Sequence, residues 1–420
     1  MKMVVLFIVS VFVMETKLDA QDYMINFDCT GATNIVGVVK VKNLTSRDSL
    51  TIGGQDTLRL LLLVGIDKKD INNENLQIYP NPMSERSILT IVSTENSEAI
   101  IDIVDLSGNI ASQKNVSLTS GANSFGISGI QRGLYIVKVS TNRHSYSTKL
   151  LSQNGLPGKP SIDYISSVEK AKDKQLKLSS TIINMFYTPG DQLLFQGSSG
   201  IFSTIVPDVP TSSKTITFFF VACTDSNNNN YTIVEIGNQT WMAENLNVGI
   251  RIDGSQVQSN NGITEKYCYG NFDSKCAVFG GLYLWDEVMQ YDTVEGTKGI
   301  CPIGWHVPTD GEWATLTNFL GGQNVAGGKL KETGEFIYGT GHWFQPNYGA
   351  TNSSGFTALP SGTRYYNGLF YDINSGNDFW SSTQHGANNA WDWYQYYATP
   401  AEYRYDIYKD RGASCRCLKD

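Results

Sequence analysis

Apolar residues in the first half of the chain recur at every second position in short runs. Such runs are VGVVKVKNL at residues 36–44, AIIDIVDLSGNI at 99–110 and KTITFFFVAC at 214–223. A period of two is typical of β-strands with one buried face. Turn dipeptides such as Ser107-Gly108 close these runs and favour reversal of the chain. The pattern therefore predicts a mostly β-structured N-terminal half.

Polar interruptions divide this half into three parts. Residues 21–70 form a short β segment that runs into the polar linker DKKDINNEN, residues 76–151 have the pattern of an all-β sandwich, and residues 152–224 return to short strands. The segments TIGGQDTLRLLLLVGI and TPGDQLLFQGSSGI, on either side of the sandwich, share a similar leucine-rich composition. A further hypothesis is therefore that the flanking parts form one small β-domain with the sandwich inserted.

Residues 229–420 have a different pattern, in which glycine-rich turns separate aromatic blocks. This part holds all eight tryptophans and 16 of the 22 tyrosines. A large aromatic side chain buries about 150–250 Å², so the tryptophans are expected to lie chiefly in the core. The pattern predicts a compact fold built around rings and turns rather than around long helices.

One short helix is predicted at residues 309–320. Thr309 is a suitable N-cap, and Glu312 follows three residues later, which is the pattern of a capping box. Trp313, Leu316 and Leu320 then lie on one face at helical spacing.

The N-terminus has the features of an export signal. Lys2 precedes an apolar run of 11 residues from Val4 to Met14, which is too short to span a bilayer and suits a signal-peptide core. Residues 1–20 are therefore predicted to be a signal peptide, although Leu18 does not fit the small-residue rule for a cut after Ala20. No later segment has the length and apolarity of a transmembrane helix. The expected location is secreted or at the cell surface, on the exterior of the outer membrane.

Charge and composition exclude several partners. The net charge is −8 and only 17% of the residues are charged, with no basic stripe, so nucleic acid is not an expected partner. The acidic balance also disfavours docking on anionic lipid.

The sequence shows none of the familiar residue motifs for catalysis or metal binding. None of the histidines has a metal-binding or catalytic spacing, and no G-x-S-x-G motif occurs. Asp225, Asn227 and Asn229 alternate like the start of a calcium loop, but the glycine and glutamate that such a loop needs are absent, so a solvated linker is expected. No cofactor and no metal are expected, and the protein is not expected to be an enzyme. A secreted glycoside hydrolase remains an alternative, because the carboxylate pair of such an enzyme is assembled only in three dimensions.

The chain has seven cysteines, which in an exported protein indicate disulfide bonds, and the odd number leaves at least one unpaired. Cys268 and Cys276 flank a short loop and are expected to pair. Cys29 and Cys223 are a further possible pair across the N-terminal β region. Cys415, two residues from Cys417, is either a buried thiol or a competitor for its partner.

The aromatic blocks resemble, in order and spacing, the Fibrobacter succinogenes major paralogous domain. The matching blocks are IGNQTWMAENLN, GGLYLWDEVM, CPIGWHVPTDGEWATL, GATNSSGFTALPSGTR, DFWSST and GASCRCLKD. The resemblance implies an α+β fold of the C-type-lectin-like group and supports a disulfide between Cys301 and Cys417. PTDGEW is also similar to a segment of formylglycine-generating enzymes, which share that fold, so an oxidase of that type is a second enzyme alternative.

Residues 76–151 resemble the type A sorting domain of the type IX secretion system. The matching residues are Tyr79-Pro80-Asn81-Pro82, Asp105-Leu106-Ser107-Gly108, Gly133-Leu134-Tyr135 and Lys149. Sorting domains of this family sit at the extreme C-terminus, whereas 270 residues follow Leu150 here. Both an active sorting role and a role as an internal spacer are therefore open.

The densest aromatic region, NNAWDWYQYYATPAEYRYDIYKD, is the expected binding surface. On a strand, one face carries Trp391 and Trp393 and the other carries Tyr394 and Tyr396, and both faces are buried only if the strand is central. Exposed rings suit sugar rings and protein partners alike. The candidate ligand-binding residues are Trp343, Asn347, Arg364, Tyr365, Trp391, Trp393, Tyr394 and Tyr396. The expected function is adhesion to a polysaccharide or a surface protein, and a purely structural surface protein is the remaining alternative.

Overall fold

The computed structural model describes residues 22–62, 76–93, 96–105, 108–141, 145–153, 160–169 and 181–420. The predicted signal peptide and the linker at residues 67–75 lie outside the described residues. The described residues divide into two compact units, of which residues 76–169 form one and residues 22–62 and 181–420 form the other. Strands dominate both units, as the alternating pattern predicts.

The larger unit begins with a β-structure made from both sides of the insertion. Its strands are β1 (Tyr23–Gly31), β2 (Val38–Asn43), β3 (Ser49–Gly53) and β4 (Thr57–Leu62) before the insertion. Strand β1 pairs with β4, and the side chains of Ile25, Leu58 and Leu60 are fully buried in the core beneath them.

The inserted unit consists of two four-stranded sheets. Its strands are β5 (Leu76–Tyr79), β6 (Arg86–Ser93), β7 (Ser97–Asp105), β8 (Ile110–Leu118), β9 (Gly121–Ser128), β10 (Gly133–Thr141), β11 (Ser145–Ser152) and β12 (Ser161–Glu169). The sheet orders are β11-β10-β7-β8 and β12-β9-β6-β5, and residues from both sheets share one apolar core. Strand β12 pairs with β9, so the sandwich extends one strand beyond residue 151, where the sequence analysis ended it.

Four strands after the insertion return to the larger unit: β13 (Ile182–Tyr187), β14 (Leu193–Ser199), β15 (Phe202–Asp208) and β16 (Lys214–Phe220). Two of them, β13 and β16, complete a sheet of order β13-β4-β1-β16, in which β13 runs parallel to β4 and β1 runs parallel to β16. Strand β14 also pairs with β2. The parts before and after the insertion therefore form one β-structure, as the composition of the flanking segments suggested.

The C-terminal part adds short strands and four helices. Its strands are β17 (Ile233–Ile236), β18 (Gln239–Met242), β19 (Ile250–Arg251), β20 (Glu265–Lys266), β21 (Trp305–His306), β22 (Ser361–Arg364), β23 (Phe370–Ile373), β24 (Gly376–His385), β25 (Asn389–Tyr396), β26 (Glu402–Tyr408) and β27 (Leu418–Lys419). Its helices are α1 (Asp273–Phe279), α2 (Trp285–Val288), α3 (Asp310–Phe319) and α4 (Gln323–Leu330), with 3-10 turns at Tyr269–Asn271 and Phe336–Tyr338.

One eight-stranded sheet joins this C-terminal part to the preceding β-structure. Its order is β21-β27-β18-β17-β15-β14-β2-β3. The junction is a parallel pairing of β15 with β17, in which Thr204 lies beside Ile233 and Ile205 beside Val234. Residues 152–224 and 229–420 were predicted as separate parts, because the pairing of distant strands leaves no local signal in the sequence.

The predicted helix and its capping box are confirmed. Helix α3 begins after Thr309, whose hydroxyl accepts from the Glu312 amide at 3.1 Å, while the Glu312 carboxylate accepts from the Thr309 amide at 2.8 Å. Trp313 and Leu316 are buried on its inner face.

The tryptophans lie chiefly in the core, as predicted. Seven of them are fully buried: Trp241, Trp285, Trp305, Trp313, Trp343, Trp380 and Trp393. Trp313 is central to this packing, with ring centroids 4.7 Å from Trp241 and 5.5 Å from Phe379.

Both expected disulfides are present, between Cys268 and Cys276 and between Cys301 and Cys417. Cys29, Cys223 and Cys415 are free and buried. Cys29 and Cys223 do not pair as the sequence analysis allowed, because they belong to two different apolar clusters. None of the described helices is long and apolar enough to cross a membrane.

Two buried basic side chains, those of Lys331 and Arg416, hold loops of the C-terminal part in place by hydrogen bonds to backbone carbonyl groups. The ammonium of Lys331 donates to the carbonyl groups of Tyr348, Tyr396 and Thr399. The guanidinium of Arg416 donates to those of Met242, Phe356 and Thr357 and to the side-chain oxygen of Asn245. Irregular loops expose many carbonyl groups, and a cation with several donors satisfies them where no strand is available.

Candidate functional site

Strand β25 carries four of the predicted binding residues and lies between β24 and β26 in the five-stranded sheet β23-β22-β24-β25-β26. Since side chains alternate along a strand, Trp391 and Trp393 lie on one face, and Tyr394 and Tyr396 lie on the other. The two faces have different surroundings, and this difference decides which residues can meet a ligand.

Trp393 is a core residue rather than a ligand contact. Only 1% of its surface is exposed, its ring lies 6.2 Å from that of Trp313 on α3, and its indole nitrogen donates to Asp310 at 3.2 Å. The prediction of an exposed Trp393 is therefore corrected, because α3 covers this part of the sheet.

Trp391 is half-buried within a fixed polar cluster. The guanidinium carbon of Arg404 lies 3.3 Å from the Trp391 ring centroid, and the His385 ring lies 4.3 Å from it. Arg404 is held by two hydrogen bonds to the Asp310 carboxylate at 2.6 and 2.7 Å. The ring is thus already occupied by protein groups and offers less free area than the sequence suggested.

The other face of the sheet carries a cluster of four tyrosines, Tyr394, Tyr396, Tyr403 and Tyr405, which we call the tyrosine surface. The rings of Tyr403 and Tyr405 are nearly parallel, with 9° between their planes and 5.8 Å between their centroids. Tyr394 lies 6.1 Å from Tyr396 and 6.4 Å from Tyr403. Tyr405 is 48% exposed and the other three are half-buried. The result is a partly exposed layer of rings on a rigid sheet.

Burial raises the pKa of Tyr394, Tyr396 and Tyr405, so these three phenol groups are neutral at ordinary pH. Nearby carboxyl groups raise the pKa of Tyr394 and of Tyr405 further. A neutral phenol both donates and accepts a hydrogen bond, which suits a ligand with hydroxyl or amide groups. Tyr403 and Tyr405 were not among the predicted binding residues, although their spacing of two in EYRYDIY is the signal that places them beside each other.

Two other candidate residues, Trp343 and Asn347, are buried and have structural roles. Trp343 is fully buried, and its indole nitrogen donates to the carbonyl of Ala358 at 2.9 Å. Asn347 donates from its amide to two backbone carbonyl groups, those of Glu332 and Gly334. Neither residue reaches the surface, so both are removed from the set of expected ligand contacts.

Arg364 is a third buried cation that holds a loop. It is 2% exposed, its guanidinium lies 4.4 Å from the ring centroid of Tyr267, and it donates to the carbonyl groups of Gly254 and Gln256. The adjacent Tyr365 is half-buried, with the guanidinium carbon of Arg411 at 4.1 Å from its ring centroid. Of this pair, only Tyr365 contributes to the surface.

A carboxyl pair that the sequence did not reveal lies beneath the tyrosine surface. Asp378 and Asp392 are both buried on strands β24 and β25, at 6% and 0% exposure. Burial raises the pKa of both groups, and the proximity of Asp378 raises that of Asp392 further. The two oxygens of Asp392 find no donor among the described residues, so a hydrogen bond to Asp378 forms only when one of the two carboxyl groups carries a proton.

This carboxyl pair has no open access to a substrate. A cleft with a volume of about 560 Å³ lies elsewhere in the described part of the chain and is lined by neither aspartate. Its polar lining is Asn228, Asn229, Asn230, Glu244, Asn245 and Asn247. The cleft is a second, polar candidate site, and it could not be predicted from the sequence because its lining residues lie in four separate segments.

The loop at residues 225–229 is an ordered turn rather than the solvated linker that was expected. The Asp225 carboxylate accepts from the backbone amides of Asn227 and Asn229 at 2.8 and 3.0 Å, and from the Tyr231 hydroxyl at 2.6 Å. These donors occupy the carboxylate, and Asp225 is 5% exposed.

Disulfide-closed units that are rich in β-structure are typical of exported proteins. The two resemblances noted in the sequence are confirmed by family models. Residues 234–419 match the Fibrobacter succinogenes major domain, and residues 77–153 match the secretion system C-terminal sorting domain. The sorting-domain match indicates an exported protein, either secreted or held at the cell surface.

Other comparisons add little. No curated protein sequence matches the chain. A similar solved structure is that of dimeric latent PorU from Porphyromonas gingivalis, with 13% sequence identity and a TM-score of 0.17, over 28% of this chain and 12% of that chain. A similarity at that TM-score supports no conclusion about fold or function.

Proposed function

We propose that the protein is an exported, non-catalytic binding protein that recognises a polysaccharide or a surface protein through the tyrosine surface. The observation that carries this proposal is the layer of partly exposed tyrosine rings on β25 and β26. Tyrosine supplies a large, rigid contact area together with a hydroxyl group, and it is enriched at the energetic centres of interfaces. The apolar faces of sugar rings stack on such groups in the same way.

Two further features support display outside the cell. The unit at residues 77–153 matches a sorting domain, and we propose that it serves export or spacing at the outer-membrane exterior. We also propose a C-type-lectin-like fold for residues 229–420, on the resemblance of the aromatic blocks. Such a fold would present the tyrosine surface on a closed scaffold fixed by the Cys301–Cys417 disulfide.

Binding to insoluble polysaccharides, a glycan array and an extract of cell-surface proteins tests the proposal. The variant is Tyr403→Ala/Tyr405→Ala, which removes the parallel pair of rings. The matched control is Tyr408→Ala, because Tyr408 lies on the same strand, is 61% exposed, and points to the opposite face. We expect binding to fall at least about tenfold in the double variant, since loss of two central contacts typically costs more than 1.4 kcal/mol, and to persist in the control.

Two results would overturn the proposal. One is the absence of binding to every glycan and extract by the intact protein. The other is equal loss of binding in the double variant and in Tyr408→Ala, which would show that the tyrosine surface has no special role. Circular dichroism of each variant establishes that the fold is retained.

The glycoside hydrolase alternative depends on the buried pair Asp378 and Asp392. If the intact protein released reducing ends from a bound polysaccharide and Asp392→Asn did not, the protein would be a glycoside hydrolase rather than a non-catalytic binding protein. We expect no release, because both carboxyl groups are buried beneath the sheet surface.

A further inference from the structure

Three sulfur atoms lie together where the C-terminus closes onto the core. The Sγ atoms of Cys301, Cys415 and Cys417 all lie within 4.8 Å of one another. Cys301 and Cys417 form a disulfide, whereas Cys415 carries a free thiol. Each of the three residues is at most 2% exposed. A free thiol is thus in direct reach of an existing disulfide.

The local backbone explains this arrangement. The amide of Leu246 donates to the Cys415 carbonyl at 2.9 Å, and the amide of Met242 donates to the Cys417 carbonyl at 3.1 Å. Residues two apart in an extended segment project to the same side, so the sulfur atoms of Cys415 and Cys417 both face Cys301. Arg416, between them, reaches instead to the carbonyl groups of Phe356 and Thr357. The segment is therefore anchored on either side of the sulfur cluster.

We propose that this cluster is a thiol–disulfide exchange site, in which Cys415 and Cys417 are interchangeable partners of Cys301. In the exchange, the thiolate sulfur of Cys415 attacks Sγ of Cys301 and forms a new S–S bond. The bond between Cys301 and Cys417 breaks, and its electron pair leaves on the sulfur of Cys417, which takes up the proton that Cys415 released. One disulfide and one thiol are present before and after, so the step needs neither an oxidant nor a reductant.

Exchange takes place when the C-terminal segment that carries Cys415 and Cys417 opens to solvent. Burial raises the pKa of Cys415 to about 12, so the attacking thiolate is scarce in the closed protein at neutral pH. During folding, or when β27 detaches, the thiols meet water and the reaction becomes faster. The alternative loop is only two residues shorter, so it constrains the unfolded chain almost equally. The C-terminus can therefore close on either cysteine.

The first test is Cys417→Ser, folded in a glutathione buffer whose disulfide form supplies the oxidising equivalents. Free thiols are counted after denaturation, and the disulfides are identified by peptide mapping. We expect a Cys301–Cys415 bond, which leaves two free thiols, Cys29 and Cys223. Four free thiols, with Cys301 and Cys415 both alkylated, would overturn the proposal.

Matched variants distinguish specific formation of the Cys301–Cys415 bond from unspecific oxidation. Cys276→Ser removes a partner from the other disulfide, and Cys268 is expected to stay free, because no third cysteine is grouped with it in the described part of the chain. Cys415→Ser should keep the original bond. Cys415→Ser/Cys417→Ser should melt at a lower temperature than Cys417→Ser. Equal melting temperatures of these two variants would contradict a stabilising Cys301–Cys415 bond in Cys417→Ser.

The unmodified protein gives a test that does not depend on folding of a variant. Incubation at pH 8.5 in mild urea opens the C-terminal segment and ionises the exposed thiol, after which acid quenches exchange. We expect peptides joined through Cys301 and Cys415 to appear beside those joined through Cys301 and Cys417. Retention of the original bond alone, under conditions where Cys415 becomes fully alkylated, would refute the exchange.

Discussion

Replacement of Glu402 by glutamine is expected to remove a large part of the pH dependence of stability. Glu402 is 1% exposed on β26, where its carboxylate accepts from the Thr317 hydroxyl at 2.6 Å and from the Gln395 amide at 2.5 Å. Both donors are neutral, and no cation contacts the group among the described residues. Burial accordingly raises the pKa of Glu402 from its ordinary value of 4.5 to about 7.

The sign of the effect follows from which state holds the proton. Between pH 4.5 and about 7, the folded protein keeps Glu402 protonated while the unfolded chain has released the proton. The unfolded state then binds fewer protons, so the free energy of unfolding falls as pH rises through this window. A difference of about 2.5 pKa units corresponds to a loss of roughly 3 kcal/mol, complete above pH 7. Glutamine resembles the protonated acid and does not titrate, so this loss disappears.

Urea denaturation at pH 4.5, 6 and 8, followed by tryptophan fluorescence, measures the effect. All eight tryptophans lie within residues 229–420, so the signal reports on the part that contains Glu402. We expect Glu402→Gln to be about 2–3 kcal/mol more stable than the unmodified protein at pH 8, and within about 1 kcal/mol of it at pH 4.5.

The matched control is Glu235→Gln, which changes the same charge at an exposed position on β17. This control should leave the pH dependence unchanged. An unaltered pH dependence in Glu402→Gln, or a lower stability than the unmodified protein at pH 8, would refute the reasoning about the buried carboxyl.

Three further predictions follow from buried or paired charges. Asp392→Asn should stabilise the protein at pH 8 by about 1–3 kcal/mol in urea denaturation, because its amide can donate to Asp378 without ionising, and the gain should vanish near pH 3. Hydrogen bonding to Glu312 raises the pKa of His306, so the stability lost in His306→Gln should be largest below about pH 6 and shrink as pH rises through the raised value. Arg416→Met should cost about 3–5 kcal/mol by thermal denaturation, since buried carbonyl groups lose their donors, and Arg416→Lys should cost less.

Local patterns in the sequence predicted local structure well. The capping box at Thr309 and Glu312 needs only three residues of chain, and it occurs as predicted. Cys268 and Cys276 pair because a separation of eight residues brings them together within one short loop. Alternation of apolar residues identified strands for the same reason, since the period of two is set by the backbone itself.

The candidate site was predicted less well, because burial depends on distant segments. Trp393 and Tyr394 are neighbours in the chain, yet α3 covers one while the other remains partly exposed. Arg364 was expected to bind a ligand, but carbonyl groups of Gly254 and Gln256, about 110 residues away, already occupy its guanidinium. The pairing of Asp378 with Asp392 depends on the register of β24 against β25, which the sequence does not specify.

The continuous sheet from β3 to β21 has a consequence for any attempt to isolate the matched C-terminal region. A fragment covering residues 234–419 would lack both β15 and Ile233, so Val234 at the cut edge of β17 would lose the neighbouring strand with which it now pairs. Such an edge recruits strands from other molecules, and the fragment would tend to self-associate. A fragment for the study of this region should therefore begin before β15 rather than at residue 234.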